Sequence, residues 1–226
     1  MTLTIVGFVA TLTLPSLIQD VNNKIYYSRF REGNAIITML GVQMYEDYNF
    51  DITDAFETPA DVINIFAEKL QYQKICDSSN FEGVCWHKRS TESPEGIYNL
   101  TKTTSITYSQ NIENSILLKN GMLIGIEENY FNPSCDGSWV WDEKTGESIF
   151  CGEMMIDVNG MKGPNVLGRD IFTYILTKRR FYPAGLENQD TPIKGYCNID
   201  KDPDSAAWEN GKACTLKLIL DGAMNY

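Results

Sequence analysis

The chain reads as an α+β protein: one long N-terminal helix laid on an antiparallel β-sheet and stapled by disulfides. Three observations lead there. Residues 1–19 carry no charge and run into a helical pattern that meets no strong breaker before Asp47. Short apolar runs bounded by turn residues then follow one another between residues 105 and 176. Six cysteines fall as three close-spaced pairs along the same stretch and beyond it. A helix followed by clustered strands, without alternating βαβ units, is the α+β pattern. With 226 residues and 43% hydrophobic side chains, the chain can bury a sizeable core and is not disordered.

The helix comes first. In MTLTIVGFVATLTLPSLIQ the first ionisable side chain arrives only at Asp20. As an α-helix of ~1.5 Å rise per residue, this run spans about 27 Å, close to the hydrocarbon thickness of a bilayer. A signal peptide fits less well, because no basic region precedes the run and no A-x-A-like site follows it. Beyond Ser16, residues Ile18, Val21, Ile25, Ile36, Met39 and Leu40 fall on one stripe at helical spacing and are expected to face the core. Gly33 and Gly41 weaken the helix by about 1 kcal/mol each. Pro15 removes a backbone donor and is expected to kink or melt the helix locally. The organisation expected is a helix over 1–47, its first 19 residues apolar throughout, and a globular head over 48–226.

A linker over 48–57 leads to a second helix. Thr58 is its expected N-cap, Pro59 suits the first helical position, and Asp61 complements the dipole. Val62, Ile63, Phe66 and Leu70 form its apolar face. The stretch from Cys76 to Thr104, with Gly83, Pro94 and Gly96, reads as loop. Strands are expected over 105–109, 115–118, 122–127, 139–141, 149–156 and 171–176. The second and third flank Lys119-Asn120-Gly121, and Asn-Gly is a strong hairpin signal.

Six cysteines allow fifteen pairings. The local pairing, Cys76–Cys85, Cys135–Cys151 and Cys197–Cys214, is expected because each closes a short loop rich in Gly, Asn, Asp or Ser. A loop of ~15 residues closed in this way is worth roughly 3 kcal/mol in the chain-entropy model. Persistent disulfides also place the head in an oxidising compartment.

The segment from Val6 to Ile18, with Gly7, Phe8, Val9, Leu12, Leu14, Pro15 and Leu17, resembles the N-terminal helix of type IV pilins and pseudopilins, in the form G-V-V-A-A-x-T-L-P-S-L-I. A second run, Asp157-Val158-Asn159-Gly160 through Lys162, Pro164, Asn165, Gly168 and Asp170 to Phe172, is similar to one in the C-terminal sheet of the same proteins. The resemblance covers residues 6–172. It implies a subunit that sits in the inner membrane before assembly and polymerises with copies of itself into a filament on the bacterial cell surface, aided by inner-membrane pilus assembly machinery. It also implies a basic leader cleaved after Gly, an N-methylated first residue and a Glu shortly after it. Alignment on Pro15 places that start several residues before Met1.

Chemistry-bearing groups are few. A net charge of −11 offers no basic surplus to displace counterions, so nucleic acid is not an expected partner. The one histidine, His87, excludes two-histidine metal sites and reads as a surface residue beside a disulfide. No phosphate-cradling loop, dinucleotide fingerprint or nucleophile elbow is present. Asp200, Asp202 and Asp204 alternate as calcium-loop ligands do, but Ser205 stands where such loops prefer Gly, and a solvated acidic loop is the other reading. Asp157, Asn159, Asn165 and Asp170 read as turn caps. Asn99-Leu100-Thr101 is a glycosylation sequon in an expected surface loop.

The expected role is structural and not enzymatic. Ile5, Val6, Gly7, Phe8, Val9, Leu12, Leu14, Pro15, Leu17 and Ile18 are the residues expected to form the filament core. A minor pilin or pseudopilin of a type II secretion or DNA-uptake machine would use the same fold. A membrane-anchored extracellular adhesin or enzyme is the reading from another class. A continuous helix beyond residue 19 argues against it, since a simple anchor is usually followed by a flexible linker.

Overall fold

A computed structural model describes residues 2–89, 96–106, 111–189, 193–204 and 206–226, with side chains described from Leu17 onward except at 193 and 194. Helix α1 spans Thr2–Asp47 and runs unbroken past Pro15, so the local melting expected there does not occur. Helix α2, Pro59–Lys69, starts as expected. Thr58 Oγ1 accepts from the Asp61 backbone and Asp61 accepts from the Thr58 backbone, so two orphan donors are satisfied reciprocally.

Seven strands follow: β1 (Tyr72–Cys76), β2 (Asn114–Leu118), β3 (Leu123–Ile126), β4 (Gly137–Trp141), β5 (Ser148–Asp157), β6 (Ile171–Thr177) and β7 (Phe181–Pro183). They form one antiparallel sheet in the order β1-β2-β3-β5-β6-β7, with β4 paired to the other end of β5. The expected hairpin joins β2 to β3, with Gly121 at φ 86° and the Asn120 side chain accepting from the Met122 N–H. Two short helices close the chain, α3 (Ile193–Tyr196) and α4 (Cys214–Asp221). All three local disulfides are formed.

Several elements were not legible from the pattern. Strand β1 is an edge strand with three exposed residues and no alternation, and β7 is short and ends on Pro183. Helix α4 lies in the tail, where eight residues leave little periodicity to see. The strand expected over 105–109 reduces to a single bridge between Tyr98 and Ser105, and residues 107–110 lie outside the described set.

Strand alternation sorts the core into two faces. On β5, Met154 and Ile156 join Phe172 and Tyr174 of β6 in the cluster beneath α1 and α2. Met155 points the other way, into a second cluster with Phe81, Trp86, Ile97, Ile106 and Leu167. Described residues from the stretch read as loop, with Ile106 just beyond it, therefore cover the far face of the sheet. The molecule is a three-layer stack of helices, sheet and disulfide-tied loops.

The packing of α1 departs from the expected stripe. Ile18, Val21, Ile25 and Met39 are exposed and Ile36 is half-buried; of that set only Leu40 is in the core. The buried face is Phe30, Gly33, Ile37, Leu40, Gly41, Met44 and Tyr45. The glycines decide the matter. A Cβ on Gly33 would lie 3.0 Å from Ile156 Cδ1 and 3.1 Å from Val158 Cγ1, and one on Gly41 would lie 3.0 Å from the Phe181 ring. Each glycine gives up helix propensity to let the backbone approach the sheet. Fully burying Phe30, Ile37, Leu40 and Met44 contributes about 1.5–3 kcal/mol each. Tyr174 also donates to the Asn34 side chain at 2.8 Å, and Tyr45 donates to the Thr177 carbonyl.

Gly33→Leu is therefore expected to destabilise the full chain by about 1–3 kcal/mol through overpacking. Ala35→Leu, on the exposed side of the same turn, is expected to be near neutral. Thermal unfolding in detergent checks both. Equal stability for the two variants would contradict the close approach at Gly33.

Candidate assembly surface

With its inward face fixed on the sheet, α1 presents a second apolar face. Leu17 is 59% exposed, Ile18 58%, Val21 47% and Ile25 53%, and further along Met39 and Val42 are exposed as well. At ~100° per residue, Leu17, Ile18, Val21, Ile25 and Met39 share one side, roughly opposite Phe30, Ile37 and Met44. About half of each of these side chains is accessible, and Ile18 borders a hollow shared with Lys102, Pro164 and Arg169. Among the described residues no helix is long and apolar enough to cross a membrane. The remaining residues of the expected filament core, Ile5, Val6, Gly7, Phe8, Val9, Leu12, Leu14 and Pro15, are helical in backbone, and their side chains lie outside the described set.

The polar groups singled out in the sequence are gathered on the far face of the sheet, where they fasten the loop layer. His87 is 2% exposed, not a surface residue as expected. Its Nε2 shares a 2.7 Å hydrogen bond with Asp157 Oδ2 at the end of β5. The other Asp157 oxygen accepts from the Asn159 and Gly160 backbones at 2.9 and 2.7 Å. Asp170 accepts from the backbones of Asn165 and Val166 at 2.8 and 2.7 Å. The turn-cap expectation for Asp157 and Asp170 therefore holds, and the histidine is a third member that spacing did not reveal. Burial raises the Asp157 carboxyl despite the His87 bond. Burial first, and the Asp157 charge second, push Asp170 up to about 7.

Two residues before Met155, Glu153 faces the same layer and receives a second pin. Lys212 Nζ lies 2.8 and 3.1 Å from the two Glu153 oxygens and 3.4 Å from Glu209. All three residues are buried. Burial works against the Lys212 charge, but Glu153 and Glu209 outweigh it and hold its pKa above the ordinary lysine value. Neighbouring Glu127 accepts from the Asn111 backbone at 2.9 Å, and burial pushes it up to about 7. Nothing in the sequence spacing pairs Lys212 with Glu153; the turn before α4 carries it over the sheet to β5.

The sequon and the acidic array meet in one place. Asn99 is fully buried, contrary to the expected surface loop, and its Nδ2, the atom a glycan would occupy, donates to Asp202 and to the Ala207 carbonyl, each at 3.0 Å. Asp202 also accepts from Thr101, Thr103 and Asn210. Burial opposes its charge, but these donors prevail and keep its carboxyl below the ordinary range. Asp200 is exposed, and Asp204 pairs with Lys201 at 3.0 Å. The three aspartates thus have different surroundings: one exposed, one held by the Asn99 loop and one paired with a lysine. Among the described residues no group of three or more His, Cys, Asp or Glu is placed to hold a metal.

Comparison with protein-family models, curated proteins and solved structures found no match.

Asp170 and Glu127 bind their protons more tightly folded than unfolded. Each therefore contributes stability below the ordinary carboxylate range and loses it as pH rises toward about 7. Glu127→Gln is expected to make the change in Tm between about pH 5 and about pH 7.5 shallower than in the unsubstituted chain. An unchanged slope would contradict the raised carboxyl.

Proposed function

We propose that the chain is a type IV pilin-like structural subunit that polymerises through α1 into an extracellular filament. One observation carries the reading: α1 has two apolar faces, of which the head uses only one. The inward face is committed to the sheet at Gly33 and Gly41. The outward stripe, Leu17, Ile18, Val21 and Ile25, continues in sequence from the uncharged run that begins the chain. Exposed apolar surface of this kind marks an interaction site. Before assembly the run has the length to rest in the inner membrane, where assembly machinery would collect it. In the filament, helix-to-helix packing replaces lipid contacts, and Ile5, Val6, Phe8, Val9, Leu12 and Leu14 join the core.

The head suits an exposed position. Three disulfides, the buried His87–Asp157 and Lys212–Glu153 pairs and the Asp202 hydrogen bonds tie its loops down. Identical subunits related by a rotation that does not close give a helical fibre, and no chemistry is required of them.

The double variant Ile18→Asp, Val21→Asp is expected to abolish fibres seen by negative-stain microscopy of surface-sheared material. Its head should unfold at nearly the same temperature as the unsubstituted protein, because neither side chain belongs to the buried core. Normal fibres from this variant would refute the assembly role of the stripe.

A further inference from the structure

The far end of α1 carries a groove that the fold does not fill. It lies between α1, β7 and α4, has a volume of about 510 Å³, and is lined by Gly41, Val42, Phe50, Phe181, Pro183 and Ile219, with Arg179 and Arg180 at its edge. No acidic residue lines it, in a chain of net charge −11. Phe50 is 58% exposed and sits at φ 61°, a left-handed conformation that is costly for a bulky side chain. Its N–H donates to the Tyr45 carbonyl at 2.7 Å, which pins the ring at the rim.

We propose that this groove receives the outward stripe of α1, residues 17–25, from a second copy of the chain. The inference rests on the polymer reading above and names the contact that propagates it. Val21 and Val42 lie roughly 30 Å apart along the axis at ~1.5 Å per residue. A parallel copy displaced by that distance brings Leu17, Ile18, Val21 and Ile25 level with the groove. In this register Asp20 is level with Gly41, beside Arg179 and Arg180, and Lys24 is level with Tyr45, one residue before Glu46, which is exposed. Both charges that flank the stripe thus meet opposite charges, as an interface register requires. Stripe and groove occupy different heights of the helix. The contact is therefore heterologous, and each bound copy offers a free groove and a free stripe to the next.

Two measurements on the full chain test the proposal. All six native cysteines are paired, so thiols introduced by Val21→Cys and Val42→Cys are the only free ones. Fibres of the double variant, oxidised and run without reductant, are expected to give a ladder of covalent multimers, and fibres of either single variant none above dimer. Fibres without a ladder would overturn the docking while leaving the polymer reading intact. If the unsubstituted chain forms no fibres, the polymer reading itself fails. Should the double variant not assemble, charge reversal decides. Arg179→Glu with Arg180→Glu is expected to cut the sedimented fraction on the order of tenfold, and Asp20→Arg in the same chain to restore it. Loss without restoration, or no loss, would overturn the proposed register.

Discussion

Where α1 crosses the sheet, Gly33 and Gly41 leave no room for a side chain, and the closeness of that crossing organises the rest of the molecule. It seats Phe30, Ile37, Leu40 and Met44 on Met154, Ile156, Phe172 and Tyr174, the largest contiguous part of the core. It fixes the rotation of the helix about its own axis. Once that rotation is set, the opposite stripe has nowhere to go but outward. The same contact that stabilises the subunit therefore leaves an apolar surface exposed on the opposite side of α1.

The other face of the sheet is held by different means. A loop layer has few apolar side chains per residue, and here it is tied by groups that need exact partners. Glu153, Met155 and Asp157 alternate with the helix-facing residues of β5, so the two carboxylates flank an apolar side chain on the loop side. His87 reaches one and Lys212 the other. Removing one partner of such a pair strands a buried charge, at a cost of several kcal/mol. The disulfides Cys76–Cys85 and Cys197–Cys214 lie on the same two chain segments as His87 and Lys212. Covalent and ionic ties thus act on the same loops.

Much of this was legible in the sequence, and the misses have physical causes. Thr58, Pro59 and Asp61 announce α2 because capping is local chemistry. Lys119-Asn120-Gly121 announces the β2–β3 hairpin for the same reason, and short loops between cysteines announce the disulfides. What failed was everything that depends on which surface meets which. Periodicity picked out one apolar stripe of α1, which the structure leaves mostly exposed, and missed the face that the sheet covers; Gly33 and Gly41 were the signal, and they read first as weaknesses. His87 and Asn99 look exposed because their neighbours are polar and turn-rich, yet that stretch is the lid of the second core. Asp202 looks like a cation ligand until Asn99, Thr101 and Thr103 arrive from a distant part of the chain with their donors.

In the proposed filament, one face of α1 stabilises the subunit and the other holds the polymer together. Helical reconstruction of assembled fibres by electron cryo-microscopy tests that division most directly. The prediction is that Leu17, Ile18, Val21 and Ile25 are buried between subunits while Phe30, Gly33, Ile37 and Gly41 keep their contacts with the sheet of their own chain. A fibre in which the outward stripe faces solvent, or in which α1 has left its own sheet, would contradict it.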